Sequence, residues 1–212
     1  MSIHTPSVSL PQQPGEIKEY GQLVGSAGAL ICAEIIAQHQ GSLLIITDDM
    51  QQAARLHEEL KQFSTDSSMI FPDWETLPYD SFSPHQDIVS DRLSCLYQLG
   101  HSDKRVLLLP ITTLMQKVCP ASFLSGHVFI MKKGQMISRD NLRMQLDNAG
   151  YRSVSQVMEH GEYATRGALL DIYPMGSQAP YRLDFFDDEI DSIRTFDIET
   201  QRTISEINEV QL

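Results

Sequence analysis

The sequence predicts an α/β fold in two parts: a lobe built on a parallel sheet over residues 1–122, then a smaller α+β domain with a mostly antiparallel sheet over residues 123–212. Three observations predict it. Residues 42–47 (SLLIIT) and 105–109 (RVLLL) are apolar almost throughout, as are strands covered on both faces of a parallel sheet. Helical periodicities alternate with these runs, the order that βαβ units require. Past Pro120 the pattern turns to short strands parted by turn residues.

Taken in order, residues 19–40 carry Leu23, Leu30, Ile31, Ile35 and Ile36 at helical spacing, and Gly41 stops the pattern. Strand 42–47 follows. Asp48 and Asp49 can cap the next helix, where Ala53, Leu56, Leu60 and Phe63 share one face. Ser83-Pro84-His85-Gln86 has capping-box form with proline at the first helical position, and Ile88, Val89, Leu93, Leu96 and Leu99 continue the helix. After strand 105–109, residues 110–118 read as a short helix ended by Cys119-Pro120, with the domain boundary at 119–126. Residues 127–131 (HVFIM) are strand-like, Lys132-Lys133-Gly134 is a turn, and Ser138 caps a helix whose Leu142, Leu146 and Ala149 end against Gly150. Strands at 168–173, 181–186 and 189–196 are parted by Pro174-Met175-Gly176 and by Asp187-Asp188, the latter short enough for a hairpin turn.

Composition narrows the function. The chain carries 16 basic and 28 acidic residues, a net charge of −12, so a polyphosphate would be repelled over most of the surface and broad DNA binding by this chain alone is not expected. Cys32, Cys95 and Cys119 are too scattered for a zinc site and too few for a disulfide framework, which points to a reducing cytoplasm. The seven histidines show no metal-binding spacing. No run of 18 apolar residues is present, so no membrane span is expected, and the proline-bearing residues 1–14 do not read as a secretory signal.

In an α/β lobe a glycine-rich turn that opens a helix can cradle phosphate. Residues 21–30 offer Gly21, Gly25 and Gly28, but no lysine lies between Lys18 and Lys61, so the G-K-[ST] ending of a working loop is missing. Close helix packing is the structural reading of these glycines. The stretch DWETLPYDSFSPHQD (73–87) sets Trp74, Tyr79 and Phe82 in a proline-broken loop, either pinned to a core or kept for a partner. In strand 181–186, Tyr181, Leu183 and Phe185 point one way and Arg182, Asp184 and Phe186 the other. An arginine and an aromatic on one sheet face are the types enriched at binding hot spots, and Arg166 joins them if its strand lies alongside. The plain alternative pairs Arg182 with Asp184 or Asp191 on a solvated face. Asp187, Asp188, Glu189 and Asp191 read as a solvated hairpin tip, lacking the alternating ligands of a calcium loop. Residues 124–182 hold seven basic and five acidic side chains and residues 183–212 two and nine, a polarity suited to an oriented protein partner.

The run at 73–87, with GEYATRGALLDIYP at 161–174 and PYRLDFFDDEID at 180–191, closely resembles the N-terminal region of the bacterial transcription-repair coupling factors (Mfd), a region itself similar to the excision-repair protein UvrB. The resemblance implies a degenerate helicase/RecA-like lobe like UvrB domain 1a, followed by a UvrA-binding domain like UvrB domain 2. It implies that Arg166, Arg182 and Phe186 contact UvrA, with Asp188 and Glu189 as neighbours. It also implies a degenerate phosphate loop around Gly25, in which Gly28 stands at the lysine position and Ala29 at the hydroxyl position, so neither nucleotide nor other cofactor is expected. The long hairpin with which UvrB clamps DNA is absent after Trp74. The expected role is a non-enzymatic adaptor that recruits UvrA to stalled RNA polymerase, within an ATP-dependent DNA translocase whose RNA polymerase and DNA contacts lie downstream. Two other readings stand beside it: part of an ATP-dependent DNA-processing enzyme with a working nucleotide site, and a face masked by another domain of a longer protein until needed.

Overall fold

The computed structural model describes residues 7–77, 79–101, 105–126, 128 and 130–211. In chain order the elements are α1 (Ala27–Gln38), β1 (Leu43–Thr47), α2 (Met50–Phe63), β2 (Ser68–Ile70), α3 (Gln86–Gly100), β3 (Val106–Pro110), α4 (Ile111–Leu114), α5 (Ala121–Gly126), β4 (Ile130–Lys132), α6 (Arg139–Asn148), β5 (Arg152–Ser153), β6 (Glu162–Arg166), β7 (Leu169–Tyr173), β8 (Tyr181–Phe186), β9 (Glu189–Phe196), β10 (Thr203–Ile207) and β11 (Glu209–Gln211). They are divided between two compact units, residues 1–73 with 98–118, and residues 74–97 with 119–212. Residues 74–97 thus fall in the second unit, whereas the sequence reading assigns everything before residue 123 to the first.

The first unit is built on a three-stranded parallel sheet of order β1-β3-β2, with Leu43 opposite Val106 and Ile70 opposite Leu108. Its core is Ala33, Ile36, Ala53, Leu60, Val106 and Leu108, where α1 and α2 cover one sheet face. The Asp49 carboxylate accepts from the Gln52 N–H at 2.7 Å and caps α2 as expected. Both faces of β1 were expected to be covered, yet Leu44 and Ile46 are half-exposed. Helix α1 begins at Ala27 rather than near residue 19, because Gln22 and Gly25 hold φ of 58° and 61° and break the helical path. The helix expected over 110–118 is only α4.

The second unit carries a six-stranded sheet of order β10-β9-β8-β7-β6-β5, antiparallel except for β5 against β6, and a ribbon of β11 with β4. Strands 181–186 and 189–196 form as expected, joined through Asp187 at φ 55° and Asp188. The core gathers Met131, Leu142, Leu146, Tyr163, Leu170, Ile172, Leu183, Phe185, Ile190, Ile193 and Val210, so α6 and the ribbon lie on the sheet face that these strands share. A smaller cluster of Val157, Ala164 and Phe196 sits on the opposite face. Helix α3 begins at Gln86, two residues after Pro84, with the His85 carbonyl accepting from the Ile88 and Val89 N–H groups. Helix α5 fills the expected linker, and of the strand expected at 127–131, residues 127 and 129 lie outside the described residues.

Contacts within the unit explain why residues 74–97 belong to it. The Arg92 guanidinium stacks over the Trp74 ring at 3.9 Å, Ser90 Oγ accepts from the Gly176 N–H at 2.8 Å, and His160 Nδ1 meets the Asp87 carboxylate at 2.8 Å. The aromatic loop is therefore split in role: Trp74 is pinned, while Tyr79 and Phe82 are exposed, and Pro78 lies outside the described residues.

Two outcomes follow from this packing. Leu146→Ala, at a fully buried position, should lower the stability of the second unit by about 2–5 kcal/mol in denaturant unfolding. Burial, aided by Asp91, pushes the Cys95 thiol up to about 11. At pH 8 it should react with a thiol reagent at least about tenfold more slowly in the native protein than in the denatured chain, read by mass spectrometry of the labelled peptide.

Candidate protein-binding face

Strand alternation places Leu170 and Ile172 of β7 in the core and turns Leu169, Asp171 and Tyr173 to the other side of the sheet. Register then aligns a polar row across five strands. Ala164 lies opposite Asp171, Asp171 opposite Arg182, Arg182 opposite Arg194, and Arg194 opposite Glu206. The next row holds Arg166, Leu169, Asp184 and Ser192.

Asp171 is the centre of this face. Its side chain is 1% exposed, and it accepts Arg182 Nε at 2.7 Å on Oδ1, Arg182 Nη2 at 2.9 Å on Oδ2 and Arg166 Nη2 at 2.5 Å on Oδ2. Burial of a carboxylate costs free energy unless charge-assisted hydrogen bonds offset it, and the two guanidinium groups do so. The hydrogen bond from Asp171 holds the Arg182 guanidinium above its usual pKa, against the opposing effect of desolvation. Arg182 also donates through Nη1 to the Gln201 carbonyl at 3.3 Å and lies over the Phe196 ring at 4.8 Å. Arg194 turns away from it and donates to Asp184 at 3.1 Å and to Ser192 Oγ at 2.8 Å.

The sequence reading offered Asp184 or Asp191 as the partner of Arg182. The register instead sets Asp171 beside it, and Asp184 is taken by Arg194. Arg166 does lie alongside, on β6. The residues of the face differ sharply in access: the Arg182 side chain is 14% exposed, that of Arg166 48%, and Phe186 74%. Phe186 stands opposite Glu189, next to the irregularity that leaves Asp191 unmatched between β8 and β9. Asp188 and Glu189 are exposed at the hairpin tip. Asp188 lines a groove of about 270 Å³ together with Arg139, Asp140 and Arg143 of α6, Thr165 and Gly167, and Arg139 donates to the Gly167 carbonyl. Asp171 escaped the sequence reading, although an acid inside the apolar run LLDIY was the signal.

The degenerate phosphate loop is an exposed turn at Gly25 leading into α1 at Ala27, with Ser26 at the cap position and making no side-chain capping bond. Gly28 lies in the first turn of α1 and Ala29 is buried beneath it. A β-carbon at Gly21, Gly25 or Gly28 would meet nothing within 4 Å, so close helix packing is not what these glycines serve. Only Gly25, at φ 61°, needs glycine for its conformation. Among the described residues no cluster of three or more His, Cys, Asp or Glu could hold a metal ion, and no helix is long and apolar enough to cross a membrane.

Residues 129–212 match the family model of the UvrB interaction domain. The chain is 61% identical over 204 residues to the transcription-repair-coupling factor of Escherichia coli K12, covering 96% of this chain and 18% of that protein. It is 53% identical over 203 residues, with the same shares covered, to that of Haemophilus influenzae, and 34% identical over 188 residues to that of Staphylococcus haemolyticus, covering 88% of this chain and 16% of the relative. The chain thus spans less than a fifth of the length of these relatives. Residues 129–212 belong to the UvrB interaction domain family, and the resemblance of the chain to transcription-repair coupling factors extends over nearly its whole length.

Proposed function

We propose that this chain is a non-enzymatic adaptor module that docks on UvrA through the outer sheet face of its second unit, around Arg166, Arg182 and Phe186, with Asp188 and Glu189 at the rim. Within a longer coupling factor that engages stalled RNA polymerase and DNA through other regions, such docking delivers excision repair to the stall. The observation that carries the reading is the pair Arg166 and Phe186, a half-exposed guanidinium and an exposed phenyl ring on one face of a rigid sheet. Planar donors and aromatic area on a preorganised surface are what a protein hot spot is made of. The match to the UvrB interaction domain and the resemblance carried by the motifs at 161–174 and 180–191 supply the partner. In the first unit, the absence of a lysine from the loop at Gly25, Gly28 and Ala29 supports a scaffold role over nucleotide hydrolysis.

Titration of the chain into UvrA in a calorimeter tests the reading. Phe186→Ala should cost at least about 2 kcal/mol of binding, and Arg166→Ala with Arg182→Ala at least as much, with the variants shown to be folded by circular dichroism. Unchanged affinity in both would remove the face from the interaction. Titration with a non-hydrolysable ATP analogue should show no saturable binding up to about millimolar concentration, the weak end of the affinity scale. Micromolar affinity would favour the ATP-dependent enzyme instead.

A further inference from the structure

The two arginines of the proposed docking face are not equivalent. Each guanidinium has five N–H donors. Arg182 commits Nε and Nη2 to Asp171 and Nη1 to the Gln201 carbonyl, has its plane over Phe196, and keeps a side chain only 14% exposed. Little of it is left for a partner. Arg166 commits Nη2 to the same carboxylate and remains 48% exposed, so its other donors face outward. Ala164, the residue across from Asp171, carries only a methyl group, which leaves the carboxylate within reach of Arg166 two positions along the same strand.

We infer that Asp171 is a positioning residue of the docking face, which holds the Arg166 guanidinium outward for the partner, and that Arg182 is the brace completing this grip rather than a contact to UvrA. The inference rests on the UvrA-docking reading and deepens it. A long arginine side chain at the surface samples many rotamers, and binding must immobilise it. Here one Nη2 is already seated on an anchor that is itself held on both oxygens by Arg182. The anchor is buried, so water competes poorly for it. In Asp171→Asn one carboxylate oxygen becomes an NH2 group, which cannot accept from a guanidinium, so one of the two arginines loses its anchor.

The test measures affinity of the full 212-residue chain for UvrA in four proteins: the parent, Asp171→Asn, Arg166→Ala and the double variant. Asp171→Asn should weaken binding about tenfold in the parent background and not at all in the Arg166→Ala background, since it acts through Arg166. A loss of equal size in both backgrounds, or parental affinity in folded Asp171→Asn, overturns the inference. Arg166→Lys supplies an independent reading should Asp171→Asn fail to fold. The ammonium is a point charge that the buried carboxylate draws inward, so this variant should lose nearly as much affinity as Arg166→Ala, and parental affinity would overturn the inference. Phe186→Ala separates the two levels of reading. If it weakens binding while Asp171→Asn is neutral, the positioning role alone fails; if neither it nor Arg166→Ala weakens binding, the docking face itself fails.

Discussion

A carboxylate buried in the middle of a strand constrains the second unit more than any other single group. Asp171 is 1% exposed and flanked in sequence by Leu170 and Ile172, both fully buried on the opposite face. Withdrawing such a charge from water costs several kcal/mol, and removing a partner from a buried pair costs roughly 3–5 kcal/mol because the remaining charge is uncompensated. The cost is offset only while β6 and β8 both present arginines to it. That requirement is a requirement on register. A slip of one residue in β8 would set Leu183 or Tyr181 opposite Asp171 and turn the whole apolar set of the strand to solvent. Two tight turns oppose such a slip: Gly167 at φ 61° between β6 and β7, and Asp187 at φ 55° between β8 and β9. The electrostatics of the face and the hydrophobic pattern of the core therefore specify the same pairing.

The same register creates a problem that the fold resolves in a way that bears on binding. Arg182 and Arg194 stand directly opposite each other, and like charges in that position repel. The guanidinium groups part, Arg182 toward Asp171 and Arg194 toward Asp184 with Ser192. With Arg166 the face holds three arginines and two internal acids, so its one uncompensated positive charge is associated with the most exposed of the three arginines. A few ångströms on in the chain, Asp187, Asp188 and Glu189 make the hairpin tip acidic. A uniform polyanion would be drawn to one part of this surface and repelled by the other. A protein surface with an acidic group set beside an apolar recess can satisfy Arg166 and Phe186 together and avoid the tip, which is the pattern of complementarity that gives orientation as well as affinity.

Much of this was legible in the residues. The period-2 alternation of 181–186 and 189–196 and the two aspartates between them specified that hairpin, and the apolar runs at 42–47 and 105–109 specified the parallel sheet. What escaped the sequence reading had a tertiary cause. Strands β2, β5 and β11 are two or three residues long and exist because a neighbour offers a partner, so no local pattern announces them. Helix α1 starts late because two residues adopt positive φ, one of them a glutamine with no sequence signal for it. The ion pair of Arg182 was assigned to nearby acids because sequence distance stood in for spatial distance, whereas β7 supplies Asp171 from eleven residues upstream. The types of residue on the site were readable; which acid each arginine takes depends on strand order, and strand order is a property of the whole sheet.

The first unit shows how little of a phosphate site is left when its chemistry is removed and its shape is kept. A turn at Gly25 still leads into a helix, and Ser26 makes no side-chain capping bond. What remains to attract an anion is the helix dipole and the free N–H groups of the first turn, together worth about 0.3–1 kcal/mol at an exposed terminus. Even millimolar affinity requires about 4 kcal/mol. The missing difference is what a lysine on the terminal phosphates, a hydroxyl on magnesium and a closed cradle would supply, and Gly28 and Ala29 offer neither side chain. The net charge of −12 works in the same direction, since a nucleotide triphosphate approaches against the field of the whole chain. A helix terminus without its cation is thus too weak to hold nucleotide, and the glycine turn that survives is accounted for by the backbone conformation at residue 25 alone.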